Sequence, residues 1–118
     1  MALLSSRVHS ALDYITVAVF AAAPTLLGFS GLAAGIAYVL AVVHLLMTLA
    51  TDFSGTRRRP IRFPHHGWVE VAVGIALMAL PWIVGWRGTP RVFYIVAGVV
   101  ILIVWALTSY YGEARRTG

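Results

Sequence analysis

Three short runs carry side chains able to ligate, ionise or relay protons. His9 and Asp13 stand four apart, His66 and Glu70 do the same, and His44, Thr48 and Asp52 follow one another at intervals of four. On a helix this spacing puts each set on one face. Imidazole with carboxylate suits zinc, iron, manganese or copper, so His9, Asp13, His44 and Asp52 are candidate metal ligands, and two related histidines could ligate one haem. The same groups could form a graded proton or ion path, since histidine titrates near neutral pH. The plainer alternative is structural. A carboxylate in a first helical turn complements the helix dipole and pairs with Arg7 or nearby loop arginines, and His44 needs only one interhelical hydrogen bond to Thr16. Enzymatic chemistry has the least support. Ser10 adjoins His9, but neighbours on a helix point apart, and no nucleophile sits with a base in a recognisable motif.

These residues are carried by an unusually apolar chain. Of 118 residues, 60% are hydrophobic and 11% charged, with no cysteine, and the mean hydropathy is +0.87. Disulfides and thiolate metal sites are excluded. No Asp, Glu, Lys or Arg occurs from Tyr14 to Thr51, from Val71 to Trp86 or from Val92 to Tyr111. Broken at glycine turns, these runs make spans of about 20 residues, the length that crosses a ~30 Å hydrocarbon layer. The expected spans are about 11–29, 32–51, 67–86 and 91–111. Alanine and glycine offer close-packing faces: Ala34, Ala37 and Ala41 in the second span, Ala72 and Ala76 in the third, Ala97 and Gly98 in the fourth.

The net charge of +5 is carried by arginine. Arg7 precedes the first span, Arg57, Arg58, Arg59 and Arg62 separate the second and third, and Arg115 and Arg116 follow the fourth. By the positive-inside rule both termini and the central linker, about 54–64, face the cytoplasm of a bacterial inner membrane. Arg57, Arg58, Arg59 and Arg62 then suit anionic lipid headgroups, and nucleic acid is a poor explanation of the charge. Trp68, Trp82, Trp86 and Trp105, with Tyr110-Tyr111, read as interfacial anchors.

The chain also repeats itself. A shift of 57 superposes His9 on His66, Asp13 on Glu70, Pro24 on Pro81, Gly28 on Gly85, Gly31 on Gly88 and Thr51 on Thr108. The expected fold is an all-α integral membrane four-helix bundle of two parallel two-helix repeats, about 7–56 and 64–113, related by an axis along the membrane normal. All four of His9, Asp13, His66 and Glu70 then lie near the cytoplasmic surface. With the first hairpin folded about Ser30, Asp52 should lie beside His9, Thr48 beside Asp13 and His44 beside Thr16. Repeat two is poorer in polar groups, with Ile101 in place of His44 and Ser109 in place of Asp52.

Ala23-Pro24-Thr25 and Leu80-Pro81-Trp82, each followed by a glycine and an aromatic residue, stand where Ser-Pro-Trp stands in the SPW-repeat family, which this chain resembles over almost its whole length. The resemblance implies a four-helix membrane protein and carries no activity to any residue. The sequence favours a small non-enzymatic membrane module, homo-oligomeric or a subunit of a larger assembly, with the cluster His9, Asp13, His44, Thr48, Asp52, His66 and Glu70 in its cytoplasmic leaflet and no cofactor. The alternatives are a haem or transition-metal protein and a proton- or ion-coupled transporter.

Overall fold

A computed structural model describes residues 3–55, 58–108 and 110. Four helices make up most of it: α1 (Ser6–Leu27), α2 (Gly31–Ala50), α3 (Phe63–Val84) and α4 (Thr89–Leu107). All four are long and apolar enough to cross a membrane.

Two helices start earlier than hydropathy alone suggests, because local caps set their ends. Ser5 caps α1 by accepting the Val8 N–H at 3.2 Å. Extended Arg62 leads into α3, where Pro64 lies in the first turn and its missing N–H costs no helical hydrogen bond. Asp13 and Glu70 therefore sit about two turns inside their helices, and the first turns hold no acid. This corrects the helix-dipole reading, since that field fades beyond the first turn.

Each hairpin turns on one device. Gly28 and Gly85 adopt φ of 73° and 85°, and their N–H groups close back on the carbonyls of Pro24 and Pro81. The next residues, Phe29 and Trp86, donate to the same two carbonyls. Left-handed caps of this kind favour glycine, which explains why proline and glycine recur at a fixed offset. With Gly28 capping α1 and Ser30 already capping α2, the turn centres near Gly28 and Phe29. The hairpin register shifts by one helical turn from a fold about Ser30, and His44 comes level with Asp13.

The linker holds a feature that composition does not reveal. Strand β1 (Thr51–Asp52) pairs in parallel with β2 (Ile61–Arg62), Thr51 opposite Ile61 and Asp52 opposite Arg62. Leu4 makes a parallel bridge with Thr108, and the Leu3 and Leu4 N–H groups both donate to the Leu107 carbonyl at 2.7 and 2.9 Å. The shift of 57 carries Thr51 onto Thr108, and Leu4 onto Ile61. The end of each repeat's second helix thus pairs with the segment entering the other repeat's first helix.

Around the hairpin turns lies an apolar core that includes Phe20, Phe29, Ala37, Leu77, Tyr94 and Ile101. The Tyr94 hydroxyl donates to the Ala33 carbonyl at 2.7 Å, which satisfies the one polar atom of that fully buried side chain. Ala34, Ala37 and Ala41 are buried. In α3 the close approach is made elsewhere than expected: Ala72 and Ala76 are exposed, whereas a Cβ on Gly98 would lie 2.6 Å from the Gly74 carbonyl oxygen. Outward faces stay apolar, with Ile15, Leu46, Ile75 and Ile83 exposed.

Candidate metal centre

At the end opposite the hairpin turns, the two four-residue motifs meet. His9 and His66 are both 0% exposed, and Asp13 and Glu70 are 3% exposed. His9 Nε2 lies 3.4 Å from Asp13 Oδ1 and 3.0 Å from Glu70 Oε2. His66 Nε2 lies 3.0 Å from Asp13 Oδ2 and 3.0 Å from Glu70 Oε1. Each imidazole thus touches both carboxylates, its own repeat's and the other's. One donor atom from each of the four residues falls within 4.8 Å of the other three.

The outer ring nitrogens fix the tautomers. Thr51 Oγ1 donates to the Met47 carbonyl at 2.6 Å, and Thr108 Oγ1 to the Val104 carbonyl at 2.5 Å. A hydroxyl has one proton, so each threonine can only accept from the imidazole beside it. His66 Nδ1 donates to Thr51 at 2.7 Å, and His9 Nδ1 donates to Thr108 at 2.8 Å. Both Nε2 atoms are therefore left facing the carboxylates, either as second N–H donors of an imidazolium or as lone pairs. Bare lone pairs against carboxylates at 3.0 Å repel. Two protons, or one divalent cation, must lie in the centre to balance the two negative charges.

Several observations bear on which. Donors bound tetrahedrally at ~2.0 Å stand roughly 3.3 Å apart, near the separations found here. Asp13 Oδ2, although 3.0 Å from His66 Nε2, is fully buried and has no aligned hydrogen bond among the described residues. An imidazole whose far nitrogen is anchored to a fixed acceptor is the usual surrounding of a metal ligand. A haem does not fit, because Glu70 Oε1 lies 3.2 Å from His9 Nε2 and 3.0 Å from His66 Nε2, in the space a porphyrin would need.

The remaining expected site residues divide. His44 Nε2 reaches Asp13 Oδ1 at 3.2 Å, from behind the carboxylate and not beside Thr16, whose hydroxyl donates to the Leu12 carbonyl. Thr48 is fully buried, and its hydroxyl has no hydrogen-bond partner among the described residues. Asp52 stands in β1, where it accepts from Ser54 Oγ at 3.1 Å, and lies outside the four-residue group. The convergent set is thus His9, Asp13, His66 and Glu70, with both repeats contributing, in place of the repeat-one set His9, Asp13, His44 and Asp52. Arg58, Arg59 and Arg62 are exposed, with Arg59 Nη1 donating to the Leu49 carbonyl at 2.9 Å. Arg57, Ser109, Tyr111, Arg115 and Arg116 lie outside the described residues.

Aromatic rings close the centre. Tyr110, expected as an interfacial anchor, turns inward: its hydroxyl donates to Glu70 Oε2 at 3.2 Å, and its ring lies 5.6 Å from that of His9 and 4.5 Å from that of Phe63. Burial, then the Glu70 charge, pushes its pKa above the ordinary phenol value. Phe53, the equivalent of Tyr110 under the shift of 57, lies 5.4 Å from the His66 ring. Gly67 makes room for the tyrosine, since a Cβ there would come within 2.7 Å of its ring. Sequence reasoning passed over Thr51, Thr108, Phe53 and Tyr110 as site residues, although the same repeat offset aligns them in pairs.

Four apolar helices around a buried cluster of histidine and carboxylate define a small membrane protein with a polar centre at one end. The SPW repeat domain profile matches residues 7–108, and the chain belongs to that family. No curated protein and no solved structure matches the chain.

Proposed function

We propose that this SPW-repeat protein binds one divalent first-row transition metal ion through His9, Asp13, His66 and Glu70, in the cytoplasmic leaflet of a bacterial inner membrane. The observation that carries the reading is the paired anchoring of His9 and His66 by Thr108 and Thr51, which aims both Nε2 atoms at two buried carboxylates. Two neutral imidazoles and two carboxylates offer a nitrogen and oxygen donor set suited to zinc, manganese, iron or cobalt, and a dication makes the group neutral. Neutrality matters inside a membrane, where an uncompensated charge is costly.

In this reading the repeats lie parallel, both termini and the linker face the cytoplasm, and Arg58, Arg59 and Arg62 meet anionic headgroups. Association with a second copy or another membrane subunit is supported by how little of each span is covered, from 17% to 33%. Elemental analysis of protein purified in mild detergent without chelator tests the site. One metal ion per chain, absent from a folded His66→Ala variant, is the expected result. Folded wild-type protein that stays metal-free after incubation with each of these ions would leave two imidazolium groups as the balancing charges and overturn the proposal.

A further inference from the structure

The four ligands obey the two-fold repeat, but their surroundings do not. His44, which touches Asp13, and Thr48 share one face of α2, whereas the positions 57 further on are Ile101 and Trp105. His44 engages Asp13 Oδ1. Thr48 behaves unlike three other threonines of the helices and their ends. Thr16, Thr51 and Thr108 each donate to the carbonyl four residues back, the bond a helical hydroxyl makes when nothing better is offered. Thr48 makes no such bond, although fully buried. A buried hydroxyl left unpaired, one helical turn from a histidine that touches Asp13, marks a place for a water molecule or a small polar ligand.

An opening lies at the same end of the helices. A cavity of about 630 Å³ is lined by Ser5, Ser6, Arg7, Ser10, Phe53 and Ser54. Phe53 lies between this cavity and the imidazoles, with its ring 6.4 Å from that of His9 and 5.4 Å from that of His66. The serine lining and the Arg7 guanidinium suit a small anion.

We infer that the metal ion, resting on the metal-binding reading above, keeps one exchangeable coordination position on its α2 side, filled by water or by a small oxygen- or nitrogen-donor anion that Thr48 and His44 hydrogen-bond. The ion then has five neighbours, four protein donors and one ligand that exchanges, where a closed four-coordinate centre would only brace the fold. Thr48 and His44 position that ligand without holding the metal.

Cobalt(II)-loaded protein in detergent, titrated with azide and followed by visible absorption, tests the assignment. The expected wild-type result is a saturable shift of the cobalt bands. Thr48→Val, which keeps shape and removes the hydroxyl, should weaken azide binding roughly tenfold at unchanged cobalt content, and His44→Ile should do the same. An intense four-coordinate spectrum indifferent to azide overturns the open position while leaving the metal site standing. So does an azide response that both variants retain in full. Failure of wild-type protein to take up cobalt overturns this inference together with the proposed function.

Discussion

Thr51 and Thr108 touch no metal in the proposed centre, yet each decides which nitrogen of its histidine carries a proton. Replacing either by valine keeps the shape and removes the acceptor of the Nδ1–H bond. Metal affinity, measured by competition with a chromogenic chelator, should fall by about 10–100-fold in each single variant. An unchanged affinity would mean that the carboxylates alone orient the rings. The carboxylates differ in their support, because Asp13 has His44 behind it and Glu70 has Tyr110. Gly67→Ala should push the Tyr110 ring away from Glu70 and lower thermal stability in detergent by about 1–3 kcal/mol, as overpacking does. Tyr110→Phe should cost less, since it removes one hydrogen bond and keeps the ring. The sign of its pH dependence follows from the raised pKa. The fold favours the neutral phenol, so its contribution is complete below the unfolded value of about 10 and is lost only as pH rises past it. The difference in Tm between wild type and Tyr110→Phe should therefore stay constant from about pH 7 to about pH 9, and a difference that shrinks across that range would contradict the assignment.

Helices and turns were the legible part of the sequence, and the reasons can be traced. Charge-free runs bounded by Gly28 and Gly85 announce two hairpins, because glycine is what a left-handed cap requires and proline four residues earlier marks the last turn. Less legible was where α1 and α3 begin. Hydropathy places the starts near Ala11 and Gly67, while Ser5 and Pro64 set them at Ser6 and Phe63, and the difference moves Asp13 and Glu70 away from any dipole role. The contact face of α3, unlike those of α2 and α4, was hidden for a related reason. Alanines spaced by four lie on both faces of an apolar helix, and periodicity cannot choose between a face turned to lipid and one turned to a neighbour. Gly74 and Gly98 let α3 and α4 approach closely, so Gly98→Ala should destabilise the protein by roughly 1–3 kcal/mol, whereas Ala76→Leu, on an exposed face, should be nearly neutral. Equal losses from the two substitutions, read by thermal unfolding in detergent, would show that this contact is not tight.

For the molecule as a whole, the repeat was readable and its consequence was not. The shift of 57 pairs His9 with His66 and Asp13 with Glu70, but pairing in sequence does not reveal that equivalent residues touch. That takes the reciprocal strand bridges, whose hydrogen bonds leave no pattern in a two-residue segment. The proposed orientation has its own test in a chain that contains no cysteine. Single cysteines introduced at Ser54 and at Ser30 should react with a membrane-impermeant maleimide from opposite sides in intact cells and inverted vesicles. Labelling of both from one side would refute the topology. The bridge between Leu4 and Thr108 also sets an order of events during synthesis. His9 is made 99 residues before the hydroxyl that anchors it. While the ribosome is still producing α4, all four donors have been made, but His9 is without its Thr108 anchor. An ion that meets the growing chain finds four donors with one imidazole free to turn, and the finished grip arrives only when α4 has folded back on α1.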